Sequence, residues 1–245
     1  MAKTSANTKA KDSQLLAKRA QQVQQGGARA AVLGVNDGLV SVLCLVLGVA
    51  ATGAPREAVL IAGFASVVAG AFSMAAGEWI SVKSQVDLFE GVLADLKSMI
   101  RRDKELLEEN LEKHYISDGY SPKVARQATA EIAKHEKSFF QAYAEQVVGI
   151  NPHELGSPWL AAVSSFLLFI AGSLAPLLPW FFASGLTAIA WAVGLTAIGS
   201  LLTGGYVAYS SGKSLAFGSL RQLVIVALAS AVTYGVGHLF GTAIA

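Results

Sequence analysis

Asp37, Met74 and Glu78 are the residues of this chain best suited to chemistry, because each sits inside a stretch otherwise built of apolar side chains. Met74 and Glu78 are four apart, so on a helix they share one face. Asp37 lies seven residues into its apolar run, about 10 Å at a helical rise of ~1.5 Å per residue. Carboxylate oxygens together with a thioether sulfur form a mixed hard and soft donor set, which suits a borderline first-row ion such as Fe²⁺ better than Mg²⁺ or Ca²⁺. The same carboxylates take up protons when a metal leaves. A carboxylate in hydrocarbon costs roughly 2.5–3.5 kcal/mol on insertion scales, so its presence there calls for a reason. The plainer alternatives are a helix break at Asn36-Asp37-Gly38, an interfacial Glu78 reaching headgroup water, and a Met74 that only packs.

The elements that must position these residues follow from the distribution of charge. Of 245 residues, 53% are hydrophobic and 15% charged, with a mean hydropathy of +0.48, against about 45–50% and about 25% in soluble domains. Residues 30–52, 58–82, 159–179, 184–208 and 220–243 are each long enough to cross a hydrocarbon core of roughly 30 Å. Of the 17 acids, thirteen fall in residues 83–157 and only Asp37 and Glu78 in the spans. The sequence therefore predicts an all-α, polytopic membrane protein of five transmembrane helices, with a helical insert between helices two and three. The domains expected are a polar basic tail over 1–29, helices one and two over 30–82, the insert over 83–157, and helices three to five over 158–245.

Basic residues set the expected orientation. The tail carries Lys3, Lys9, Lys11, Lys18, Arg19 and Arg29 against the single acid Asp12, and it lacks the apolar core of a signal peptide. This places the N-terminus and the insert in the cytoplasm. A net charge of +2 is too small to suggest nucleic acid as a partner, and the single cysteine, Cys44, excludes a disulfide framework or a Cys-based metal site.

Within the insert, Val86, Phe89, Leu93, Leu96 and Ile100, then Leu107 and Leu111, recur at helical spacing and form one apolar stripe that continues from the second span. Ser121-Pro122 opens a further helix to about 134, and a third covers about 136–148, ending at Gly149. Glu105, Glu108, Glu109 and Glu112 share one acidic face, readable either as a metal collector or as a solvated surface. Glu131 and His135 form another i, i+4 pair able to chelate.

Three segments carry a family resemblance: GVNDGLVSVLCLVLGVA (34–50), AGAFSMAAGEWISVKSQ (69–85) and GINPHELGSPWLAAVSSFLLFIAGSLAPLLPW (149–180). They resemble the vacuolar iron transporter family, which includes iron and manganese carriers and nodulin-21-like proteins, with a bacterial member expected here. The resemblance implies a homodimer of five-helix subunits that moves Fe²⁺, and often Mn²⁺, out of the cytoplasm in exchange for protons. It places the family's metal-binding aspartate on Asp37 and its methionine on Met74. Some members carry a glutamate eight residues before that methionine; here the position is Ser66, and Glu78 is inferred to take over part of its duty. The resemblance places the insert's ligand positions in those members, without gaps, near Leu96, Met99, Leu107, Asn110, Tyr143, Ala144 and Val147, of which only Met99 has a side chain able to bind metal.

The function expected is therefore secondary export of Fe²⁺ or Mn²⁺ by proton exchange, with metal as cargo and no resident cofactor. The partners expected are divalent metal ions, protons, the lipid bilayer and a second copy of the chain. A bacterial inner membrane is the expected location, or a vacuolar-type membrane in a eukaryote. The alternative is a membrane-anchored metal sensor or buffer whose insert holds the metal. An enzyme is not expected: the chain has no HExxH, no GxSxG and no GxxxxGK[ST].

Overall fold

A computed structural model describes the backbone of residues 27–244 and the side chains of 30–242. The basic tail expected over 1–29 thus lies almost wholly outside the described residues. In chain order the helices are α1 (Gly27–Ala51), α2 (Arg56–Arg102), α3 (Lys104–Ser117), α4 (Pro122–Ala133), α5 (Glu136–Tyr143), α6 (Pro158–Leu177), α7 (Pro179–Phe182), α8 (Gly185–Ser210) and α9 (Leu215–Ile244). No strand occurs among the described residues. The chain divides into two compact units, one of Ser81–Ser157 and one of Gly26–Ile80 with Pro158–Ala245.

The second unit holds the apolar helices. Among the described residues, five helices are long and apolar enough to cross a membrane: α1, α2, α6, α8 and α9. In hydrocarbon every backbone polar group must be paired within the protein, which a helix achieves by itself. The outward faces carry Ile61, Phe72, Trp191, Leu202, Leu228 and Leu239, all exposed, as lipid-facing helices do. Inside, α6 buries Ala162, Ser165, Phe169, Gly172 and Ser173.

Small residues set how closely these helices approach. A Cβ built on Gly38 would lie 2.2 Å from the Phe169 carbonyl oxygen, and one on Gly172 would lie 2.3 Å from that of Val35. Further along α1, a Cβ on Gly237 of α9 would meet the Gly48 carbonyl at 2.2 Å. Backbone therefore rests on backbone where α1 meets α6 and α9, the contact that small residues permit in membranes. Span two is held differently. The hollows at Gly63 and Gly70 are filled by the Leu177 side chain and the Phe169 ring, while Gly77, like Gly194 of α8, meets nothing within 4 Å.

The first unit packs its own core from Leu93, Leu96 and Ile100 of α2, Leu107 and Leu111 of α3, and Phe139 and Tyr143 of α5. The apolar stripe is shared between two helices, because the chain turns at Asp103 (φ −150°) before α3 begins. Ser121 precedes α4 in extended conformation with Pro122 in its first turn. The helix expected over 136–148 is not uniform. It changes after Tyr143 into a π-helical turn, Ala144–Val148, which ends at Gly149 (φ +79°). The wider turn lets the Ile150 amide donate to the Ala144 carbonyl at 2.8 Å, so both residues join the core.

Candidate functional site

Asp37 owes its position to its neighbours. Gly34 and Gly38, three residues before and one after, press against the Ser165 and Phe169 carbonyls of α6. The helix face they form leaves Asp37 pointing elsewhere, and the structure places it exposed on α1. The preceding residue, Asn36, accepts a hydrogen bond from the Gln222 side chain of α9. One turn later, the Ser41 hydroxyl donates to the Asp37 backbone carbonyl at 2.5 Å. The segment around Asp37 is thus held by α6 on one side and α9 on another.

Met74 is half-buried against the apolar cluster that includes Val67, Ala71 and Phe169. Glu78, one turn along the same face, is buried, 7% exposed. Beside it the Trp79 and Trp159 rings meet edge to face at 5.9 Å. Phe169 touches both helices: its carbonyl packs on Gly38 of α1 and its ring fills the hollow at Gly70 of α2. Among the described residues no three of His, Cys, Asp and Glu converge on a point that would hold a metal. Met74 and Glu78 share a face of α2, whereas Asp37 stands apart on α1.

The acidic face of α3 is taken up by bases. Glu108 pairs with Lys104 at 3.5 Å, Glu109 with Lys113 at 2.7 Å, and Glu112 with Arg126 at 3.3 Å. The Lys113 ammonium, by hydrogen bond and charge, holds the Glu109 carboxyl below the usual carboxylate range. Glu131 is held low in the same way by Lys134, 2.5 Å away, with a smaller contribution from the charge of His135. Glu105 and Met99 are exposed.

Sequence reasoning passed over Asn36, Gln222 and Phe169. Asn36 and Gln222 are uncharged amides in otherwise apolar spans, and a search for polar residues of any kind within the spans would have flagged both.

The model of the VIT family matches residues 28–238. The chain belongs to the VIT family. Vacuolar iron transporter homolog 1 of Oryza sativa subsp. japonica is 36% identical over 219 residues, covering 87% of this chain and 73% of that protein. The vacuolar iron transporter of Acanthamoeba castellanii is 32% identical over 224 residues, covering 89% and 80%. Vacuolar iron transporter 1 of Tulipa gesneriana is 25% identical over 213 residues, covering 84% of each. This VIT-family chain is an integral membrane protein of a transporter family and not an enzyme.

Proposed function

We propose that this VIT-family chain exports Fe²⁺, Mn²⁺ or both from the cytoplasm in exchange for protons and so takes part in iron and manganese homeostasis. The observation that carries this reading is the clamped segment around Asp37, which presents a carboxylate at the level of the spans with its backbone fixed on two sides. Deprotonated, Asp37 binds a divalent ion; protonated, it releases it, so metal and proton compete for the same oxygens. Met74 supplies a thioether, and Glu78, buried one turn away, supplies a second carboxylate for metal or proton.

Because Asp37 faces out of its own subunit, a homodimer completes the donor shell around it. The moving element in this account is α2, whose contacts with the other spans are side chain into hollow, while α1, α6 and α9 rest backbone on backbone. Retreat of the Phe169 ring from Gly70 opens the way between Asp37 and Met74. The buffer reading finds less support, since three of the four α3 glutamates would have to give up a basic partner to bind metal.

The test is a liposome assay with purified protein and an internal pH dye, comparing Fe²⁺, Mn²⁺, Co²⁺ and Zn²⁺. Fe²⁺ or Mn²⁺ movement coupled to opposite proton movement supports the proposal. Metal movement with no proton signal contradicts the exchange.

A further inference from the structure

A second polar feature adjoins the clamp and shares Asn36 and Gln222 with it. A cavity of about 330 Å³ opens between α1, α8 and α9, lined by the polar side chains of Asn36, Thr203, Arg221 and Gln222 and by the apolar ones of Val32, Leu33 and Val207. Its size falls at the low end of ligand sites, about 300–1,000 Å³. We propose that it binds the phosphate headgroup of an anionic phospholipid.

Depth supports this first. α9 has 30 residues, about 45 Å at ~1.5 Å per residue, which exceeds a hydrocarbon core of roughly 30 Å by some ten residues. Arg221 lies six residues into α9, within its first two turns. Asn36 near the start of α1 and Val207 near the end of α8 belong to the same end of the bundle. The charge balance points the same way. No acidic residue follows Glu154 in the sequence, so α8 and α9 offer Arg221 no carboxylate of their own. An arginine fork matches phosphate oxygens two at a time, and basic pockets between spans are a recurrent headgroup site.

The hydrogen bonding is complementary as well. Gln222 donates its amide N–H to the Asn36 side-chain oxygen. That leaves the Asn36 NH₂ as a donor beside the guanidinium. Donor groups and valine and leucine side chains within one lining suit a phosphate that carries apolar substituents.

Native mass spectrometry of the full-length chain, released from nanodiscs holding equal parts phosphatidylglycerol and phosphatidylcholine, tests the site. The wild type is expected to retain phosphatidylglycerol preferentially. Arg221→Ala is expected to weaken retention about ten-fold, as loss of a charge-assisted pair does, and Arg221→Lys by less. Lys213→Ala, the same loss of charge in the preceding turn but outside the cavity, is expected to behave as wild type. Equal retention of both lipids by the wild type overturns the proposal. So does an equal loss in Arg221→Ala and Lys213→Ala, or stabilisation by inorganic phosphate alone as large as that by phosphatidylglycerol, which would mark a free-anion site. None of these outcomes depends on metal transport.

Discussion

Gln222 of the last span donates a side-chain hydrogen bond to Asn36, the residue immediately before Asp37. The two ends of the membrane unit, α1 and α9, are therefore tied together at the level of the carboxylate proposed to carry metal. A hydrogen bond between side chains in this setting contributes about 1 kcal/mol, but leaving a buried amide unpaired costs about 1–3 kcal/mol.

Breaking that tie is expected to disturb transport more than folding. Gln222→Leu leaves Asn36 without its donor and lets the α1 segment shift. The expected result is roughly a ten-fold fall in the maximal rate of Fe²⁺ transport, the equivalent of about 1.4 kcal/mol, with a thermal midpoint close to wild type. Gln222→Asn, which keeps an amide, recovers part of the rate. Liposome uptake and thermal unfolding of the purified chain measure the two effects separately.

The glycine contacts predict a sharp contrast in stability. Gly38→Ala drives a methyl group into the Phe169 carbonyl and is expected to destabilise the protein by about 1–3 kcal/mol or more, as overpacking does. Gly77→Ala and Gly194→Ala meet nothing within 4 Å. Alanine is the better helix former by about 0.8–1.0 kcal/mol in water, so both are expected to be neutral or mildly stabilising. Thermal midpoints in one detergent decide the matter.

At Met74, packing and ligation can be separated. Met74→Leu keeps volume and apolarity and is expected to cost less than about 1.5 kcal/mol in stability, while removing the sulfur. If the thioether binds cargo, Fe²⁺ transport falls about ten-fold with the thermal midpoint retained; unchanged transport assigns Met74 to packing alone.

The ion pairs of the insert predict a pH signature and no transport defect. The folded Glu109 and Glu131 carboxyls are held below their ordinary value near ~4.3. Stability from these pairs is thus present above that value and is lost as pH falls through the lower folded value. A Glu109→Gln/Glu131→Gln variant is expected to be slightly less stable than wild type at neutral pH and to match it in strong acid. Both groups are solvent-exposed, so the difference is small and shrinks with salt. Replacing Glu105, Glu108, Glu109 and Glu112 together by glutamine is expected to leave Fe²⁺ transport within about two-fold of wild type, given the small worth of exposed pairs.

The five spans were legible in the sequence because hydropathy over 20 residues is a local property: residues 30–52 became Gly27–Ala51, and 184–208 became Gly185–Ser210. The last helix starts at Leu215, earlier than the expected 220, because the apolar Leu215-Ala216-Phe217 turn precedes Arg221 and Gln222 without breaking the helix. Asp37, Met74 and Glu78 were legible as polar or soft groups in apolar runs, but their relation was not. Sequence places α1 and α2 as consecutive antiparallel helices, yet the distant Phe169 of α6 reaches between them at Gly38 and Gly70. That rotation follows from backbone notches on three helices, and no window of sequence contains all three. The acidic face of α3 was equally visible, but its pairing with Arg126 depends on how α3 meets α4.

The central claim is that Asp37 couples metal to protons. Proton flux driven by an Fe²⁺ gradient, measured in liposomes with an internal pH dye for wild type and Asp37→Ala, tests it most directly. Robust metal-dependent flux is expected in the wild type and none above protein-free liposomes in Asp37→Ala, with the variant folded by thermal unfolding. Wild-type flux in a folded Asp37→Ala protein would contradict it.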